Sequence, residues 1–546
     1  MIVRVLSCLL LLSAGLAAQQ VGLPEAWTGA RVDGHAGRSA ANLGDVDGDG
    51  VDDIAWGEPW YTDDHVSHGR VVVRSGADGA TLAVLDGAAG GDQFGWDVAG
   101  GGDFDGDGVP DLAVGIPRHE GVFEEGGLVT IYSGATFLPL ADLLPNAAFD
   151  IVGMSVAFVA DLDGDGDDEV LAGAPHLGSG VTGLARLYAG GTGDVLADFS
   201  SGTPSDLFGA AVADVGDVND DGFTDLGVGA PGASFLGGSV WIFSGRAVIQ
   251  GQGAAVLHTL TQPTLFDRFG ASLDGAGDVN GDGHDDFVVG NPGSPGLQGQ
   301  VTIHSGSTGV ELRRFDGTSF SQLGGQVARV GDLDGDGVPD VAATGFGSQA
   351  LGARGVARAW SAATGTLLMD VPADAQTLNA YGAVTAGGDR DGDGRLEVVF
   401  GMLENDDAEG DVPGRGKLLR VERDEILVHR GLGLLGEQGL PMLSADGTLE
   451  ADSPIALRVL GGLPLAPLFF VVGVSEWIAP LEGGYLVPAP DIVLGQALDA
   501  DGALPLGGTW PAGVPGGVTV SFQGWIVDAS GPFGFTATNG ITALTP

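Results

Sequence analysis

From about residue 21 to residue 424 the chain alternates between short apolar runs and acidic, glycine-rich stretches. The apolar runs include Ile54-Ala-Trp-Gly57, Leu112-Ala-Val-Gly115, Phe287-Val-Val-Gly290 and Val398-Val-Phe-Gly401. They are rich in β-formers, bounded by Gly and too short for helices, so they predict buried strands. A further run follows each, as in Gly69-Arg-Val-Val-Val-Arg-Ser-Gly76 and Gly238-Ser-Val-Trp-Ile-Phe-Ser-Gly245, and a hairpin turn then leads to a run such as Thr81-Leu-Ala-Val-Leu85. With a strand before each acidic stretch, this makes four short antiparallel strands per unit. The unit recurs at intervals of 54 to 61 residues, seven times. Such a period marks a repeat architecture. Four-stranded antiparallel units repeated around a ring describe an all-β, seven-bladed β-propeller.

The acidic stretches are copies of one loop. Positions 1, 3, 5 and 9 carry Asp45, Asp47, Asp49 and Asp53 in the first, with Val51 at position 7. The second has Asp103, Asp105, Asp107 and Asp111 with Val109, and the third Asp161, Asp163, Asp165 and Glu169 with Asp167. The fourth has Asp217, Asn219, Asp221 and Asp225 with Phe223, and the fifth Asp278, Asn280, Asp282 and Asp286 with His284. The sixth has Asp332, Asp334, Asp336 and Asp340 with Val338, and the seventh Asp389, Asp391, Asp393 and Glu397 with Arg395. Hard oxygen ligands at alternate positions of a tight loop suit calcium, with the backbone carbonyl of position 7 as a further ligand. Soft metals would want Cys or His, and neither recurs at the side-chain positions. Position 6 is Gly in every copy, which lets the chain turn around an ion. Two like charges 4 Å apart cost roughly 4 kcal/mol at an effective dielectric near 20, so four carboxylates in one loop call for a cation. The EF-hand is excluded because it needs a Glu at position 12. Here that place holds Trp56, Val114, Ala172, Val228, Val289, Ala343 and Phe400.

Around each loop stand two further signals. Before it comes an aromatic-Gly or apolar-Gly pair, as in Phe94-Gly95, Phe208-Gly209 and Phe269-Gly270. After it comes Gly-x-Pro, as in Gly57-Glu-Pro59, Gly115-Ile-Pro117 and Gly229-Ala-Pro231, although the last two repeats lose the Pro. Pair, acidic loop and Gly-x-Pro in this order resemble the FG-GAP repeats of the integrin α N-terminal propeller and of secreted bacterial proteins. The resemblance implies that the calcium loop joins the first two strands of each blade on one face of the disc. It also implies that partners, an extracellular protein or glycan, dock on the opposite face. There the segments after Gly-x-Pro offer Trp60 and Tyr61 from the first repeat and Arg118, His119 and Phe123 from the second. Exposed aromatics with Arg and His suit a contact patch. The competing reading is that Trp60 and Tyr61 fill a small core of their own loop. Glu25-Ala-Trp-Thr-Gly29 stands where other repeats place a fourth strand, with no earlier blade to complete. It is expected to supply the outermost strand of the seventh blade and close the ring.

The remaining features concern compartment and class. Residues 1–18 read as a signal peptide, with Arg4 as its positive start, Val5 to Leu12 as its apolar part and small residues up to Ala17 and Ala18. The chain's one cysteine, Cys8, lies within that segment, so calcium is expected to replace disulfides as the fastener. No stretch of the mature chain has the length and apolar purity of a membrane span. The propeller is expected over 19–424. Residues 425–546 lack the loop and carry short apolar runs such as Ile455–Leu460 and Pro467–Val474, which predict a small β-sandwich-like domain. The net charge is −51, of which seven divalent ions would offset only about a quarter. So acidic a surface argues against nucleic acid and anionic lipid as partners. No nucleophile elbow, His-Glu-x-x-His or phosphate loop is present. The sequence therefore favours a non-catalytic binding or adhesion module. The alternative is an extracellular enzyme, a polysaccharide lyase or hydrolase or a phospholipase, built on the same scaffold.

Overall fold

The structure is a computed structural model. It describes residues 34–403 apart from short stretches (64–65, 122, 177–179, 233–236, 263–265, 348–354, 373–379 and 391–395), the strand Ala26–Thr28, and the backbone of the strands from Lys417 onward. The expected signal peptide lies outside the described residues.

Six four-stranded antiparallel sheets are each continuous in sequence. The first runs Ser39–Gly44, Asp53–Glu58, Arg70–Arg74, Thr81–Asp86, from the inside of the molecule to its rim. A seventh four-stranded sheet is composite. Its first three strands are Ala380–Gly388, Glu397–Leu403 and Lys417–Glu422, and its outer strand is Ala26–Thr28 from the other end of the chain. The innermost strand of every sheet touches that of the next, and Ser39–Gly44 touches Ala380–Gly388, so the sheets form a ring. The all-β unit Ala26–Val421 is a β-propeller.

Strand composition follows position in the blade. Second strands such as Asp53–Glu58, Glu169–Ala174 and Asp340–Gly345 are buried at every residue because a neighbouring sheet covers each face. This is why they read as unbroken apolar runs rather than alternating ones. Outer strands alternate, as Thr81–Asp86 does, because they face solvent at the rim. The core is accordingly a set of layers between blades. One layer packs Leu43, Ala55 and Val71 of the first blade on Phe94, Leu112 and Val114 of the second. Phe208 and Phe269, from aromatic-Gly pairs, fill the corresponding layers further round. The glycines of the two motifs meet across these layers. A Cβ on Gly57 would collide with the Gly95 carbonyl oxygen, and one on Gly401 with that of Gly37. The two signals therefore recur together: they are the two halves of one backbone-to-backbone contact.

Ring closure takes the expected form. Trp27 pairs with Leu418, is 6% exposed and stacks on Trp56 of the first blade, ring centroids 5.8 Å apart. The inner strands enclose a central cavity of about 570 Å³ lined mainly by Ala, Gly and Val.

A second unit covers Glu422–Pro546. Val428–Arg430, Gly540–Leu544, Thr519–Val527, Pro467–Gly473 and Ile492–Ala497 lie side by side in one antiparallel sheet, with Phe535–Ala537 beside Thr519–Val527. Met442–Asp446, Pro454–Leu460 and Leu504–Thr509 form another. No helix among the described residues is long and apolar enough to cross a membrane, which says nothing of crossing by strands.

Candidate metal loops and the opposite face

The acidic loop closes on itself through its own carboxylates. In the first copy Asp45 Oδ1 accepts from the amides of Gly48 and Asp49 at 2.7 and 2.9 Å, and its Oδ2 from Gly50 at 2.8 Å. The position-5 carboxylate accepts from the position-7 amide, at 2.9 Å from Val51 to Asp49 and 2.8 Å from Val109 to Asp107. Gly50 at position 6 has φ 92°, and Gly48 at position 4 has φ 80°. Position 4 departs from Gly only in the fourth loop, where Asp220 adopts φ 56°. Asx-type bonds and left-handed residues together curl the chain so that side-chain oxygens point to one centre.

Position 9 differs from the rest. Asp53, Asp111, Glu169, Asp225, Asp286 and Asp340 are wholly buried. One oxygen of each accepts from the position-2 amide, for example Phe104 to Asp111 at 2.8 Å and Leu333 to Asp340 at 2.8 Å. The second accepts from the turn between the third and fourth strands, as Gly134 to Asp111 at 2.9 Å and Gly306 to Asp286 at 2.9 Å. Glu169, one methylene longer, lacks this second bond, and its Oε1 is buried without a partner. Burial pushes Asp53, Asp111 and Asp286 up to about 6 and Glu169, Asp225 and Asp340 up to about 7, against the pull of those backbone bonds. Position 9 is thus a structural latch as well as a candidate ligand.

Oxygens of positions 1, 3 and 9 converge within 4.8 Å of one another in the first three loops: Asp45, Asp47, Asp53; Asp103, Asp105, Asp111; Asp161, Asp163, Glu169. In the sixth loop the converging set is Asp332, Asp334 and Asp336. Oxygens bound to one calcium at 2.3–2.6 Å lie up to roughly 5 Å apart, so the spacing fits. Asp334 Oδ1 is buried with no hydrogen-bond partner, as is Glu169 Oε1. A bare carboxylate oxygen aimed into a nest of others is costly unless a cation completes it. In the fourth and fifth loops the position-3 side chain is an amide. Asn219 Nδ2 donates to Asp225 Oδ2 at 3.0 Å and Asn280 Nδ2 to Asp286 Oδ1 at 3.4 Å. To ligate an ion these amides must turn their oxygens inward. Of the seventh loop, Asp391, Asp393 and Arg395 lie outside the described residues, while Glu397 is buried and accepts from Arg390 N at 3.0 Å. Trp56, Val114, Ala172, Val228, Val289, Ala343 and Phe400 at position 12 are core residues, not ligands.

The antiparallel order of each blade puts the Gly-x-Pro loops at the end away from the acidic loops. There the structure divides the expected contact residues. Tyr61 is buried at 6% exposure, with the Arg70 guanidinium 3.7 Å from its ring centroid, so it belongs to its own loop's core and not to an open patch. Trp60 is half-buried and joins two aromatic rings that sequence reasoning missed, His35 at 4.6 Å and Trp96 at 5.4 Å. Arg38 caps Trp96 at 4.5 Å. It stands beside Asp97, which burial pushes up to about 6 while Arg38 pulls it down. Arg38 and Trp96 each follow the Gly of an apolar-Gly or aromatic-Gly pair, a position whose recurrence in sequence was the available signal. In the second repeat His119 Nδ1 lies 2.8 Å from buried Asp92, exposed Arg118 pairs with Glu125 at 3.4 Å, and Phe123 is half-buried.

Three stretches, residues 36–73, 94–132 and 269–304, match the FG-GAP repeat. Each runs from the segment entering a blade's first strand into its third. The chain is 33% identical over 208 residues to integrin alpha-V of Gallus gallus, covering 35% of this chain and 19% of that protein. It is 32% identical over 222 residues to integrin alpha-5 of Xenopus laevis, covering 36% and 20%. The match thus spans about a fifth of those relatives. A solved structure of the Dos1 propeller overlaps 64% of this chain and 72% of its own at 12% identity, with a TM-score of 0.37. The chain carries FG-GAP repeats and, built on them, a propeller like that of integrin α chains.

Proposed function

We propose that the chain is a secreted, calcium-stabilised propeller of seven blades that binds an extracellular protein or glycan through the face opposite its acidic loops. Residues 1–18 are its signal peptide, 19–424 its propeller and 425–546 its β-sandwich-like C-terminal domain. Calcium occupies the loops as a fastener, one ion per blade, and the module is non-catalytic. The observation carrying the binding reading is the half-buried cluster of Trp60, Trp96 and His35 beside Arg38. Aromatic rings with a capping Arg are the composition that concentrates binding energy at interfaces.

The test is a glycan and protein array screen of the purified chain in calcium. Capture is expected, and Trp60→Ala with Trp96→Ala should abolish it while leaving calcium-dependent melting unchanged. Capture that survives both substitutions would place binding elsewhere. Turnover of a polysaccharide or phospholipid by the same preparation would replace this reading with an enzymatic one.

A further inference from the structure

Position 8 of the acidic loop lies outside the ligand set, yet it reaches the neighbouring blade. Asp168, at position 8 of the third loop, grips position 1 of the second: Asp103 N donates to Asp168 Oδ2 at 2.9 Å, and Asp168 N donates to Asp103 O at 2.8 Å. Its Oδ1 meanwhile accepts from Asp161 N, position 1 of its own loop, at 2.9 Å. Asp285, at position 8 of the fifth loop, repeats the reciprocal grip on the fourth. Asp217 N donates to Asp285 Oδ2 at 2.9 Å, and Asp285 N donates to Asp217 O at 3.1 Å. The first-to-second and fifth-to-sixth junctions differ. Position 8 is Pro110 or Pro339, which packs beside Gly44 or Gly277 with neither an amide hydrogen nor a carboxylate to offer.

We propose that Asp168 and Asp285 are positioning residues that couple the metal loops in pairs, second with third and fourth with fifth. This rests on the calcium reading above. Asp103 and Asp217 each fold their loop by accepting amides at both carboxylate oxygens: Asp103 from Asp107 at 3.1 Å and Gly108 at 2.8 Å, Asp217 from Asp221 at 2.9 Å and Gly222 at 2.7 Å. Fixing the backbone of that residue from both sides fixes the aim of its carboxylate. An ion that orders the third loop therefore orders the second at the same time, and the entropy of ordering is lost once for two sites. Such a shared cost is a coupling free energy between sites, and it is reciprocal. The proline junctions transmit no such constraint.

Hydrogen–deuterium exchange of the full chain across a calcium titration reads each loop separately. In the wild type the peptides spanning 103–111 and 161–169 should gain protection at the same calcium concentration. Asp163→Ala, which cripples only the third loop, should raise the calcium midpoint of the second by about fivefold or more. Asp47→Ala, which cripples the first loop across the proline junction, should leave it unchanged. Asp168→Ala should separate the two wild-type midpoints and remove the effect of Asp163→Ala. An unmoved second-loop midpoint in Asp163→Ala, or an equal shift in Asp47→Ala, would overturn the coupling. Absence of calcium-dependent protection in every wild-type loop would overturn the metal reading instead.

Discussion

At the scale of single residues the position-9 carboxylate is the most consequential group. As Asp in the first, second, fourth, fifth and sixth loops it spends both oxygens on backbone amides and is wholly buried, so part of its value is independent of metal. Asp111→Ala should cost about 2–4 kcal/mol in denaturant unfolding even in chelator, because the amides of Phe104 and Gly134 lose their acceptor. Asp107→Ala, on the open side of the same loop, should cost almost nothing without calcium. Equal costs in chelator would show that position 9 is a ligand and no more. The same burial sets a pH dependence. These groups are raised when folded, to about 6 or 7, above an unfolded value near 4. A raised group adds stability that is complete below the unfolded value and lost as pH climbs through the folded one. Metal-free protein should therefore melt progressively lower from about pH 4 to pH 7. The gain on adding calcium should grow over the same window, because ligands must be deprotonated. A metal-free melting temperature that rises over that window would refute this account. The acidic loop itself was legible in sequence because spacing within nine residues defines it. Position 8 was not, since Asp168 acts on Asp103, 65 residues away, and only the fold brings them together.

At the scale of elements, the composite seventh sheet decides whether the ring holds. Six blades close on themselves; the seventh depends on three residues from the far end of the chain. A fourth strand with no blade before it made this closure readable, since such a strand must pair somewhere. The Trp27–Trp56 stack was not readable, because it joins the outer strand of one blade to the second strand of another. Trp27→Ala should cost about 3–5 kcal/mol in denaturant unfolding, as large aromatic truncations in a core do. The indole Nε1 is buried without a hydrogen-bond partner, so Trp27→Phe should recover most of that loss. If Ala and wild type unfold alike, the strand is ornamental and the ring closes without it. The aromatic cluster on the opposite face was half legible for a related reason. Trp60 stands out in its loop, but Trp96 and Arg38 come from entries into blades and are marked only by the preceding Gly.

At the scale of the whole molecule, charge is the dominant fact. A chain carrying −51 resists compaction, and its repeated loops hold that charge in small volumes. Hydrophobic layers between blades supply the attraction, but at least four of the described loops also bring carboxylates close enough to repel at short range. With calcium at ten to a hundred times the dissociation constant, each site adds roughly 1.4–2.7 kcal/mol. Several such sites together rival the 5–15 kcal/mol that typically separates folded from unfolded chains. On the proposed calcium reading, the ions would be a condition of folding rather than a signal. Chelation should lower the melting temperature by about ten degrees or more. Magnesium should restore little of it, since that ion demands a tight octahedral shell and gives up its waters reluctantly. In chelator the loop carboxylates are unneutralised, so sodium chloride should recover some stability by screening them. The recovery should be smaller with calcium present, though not absent, because seven ions would offset only about a quarter of the charge. Identical melting curves with and without chelator would mean that the interlayer packing carries the ring alone, and that the acidic loops are turns with no ion to hold.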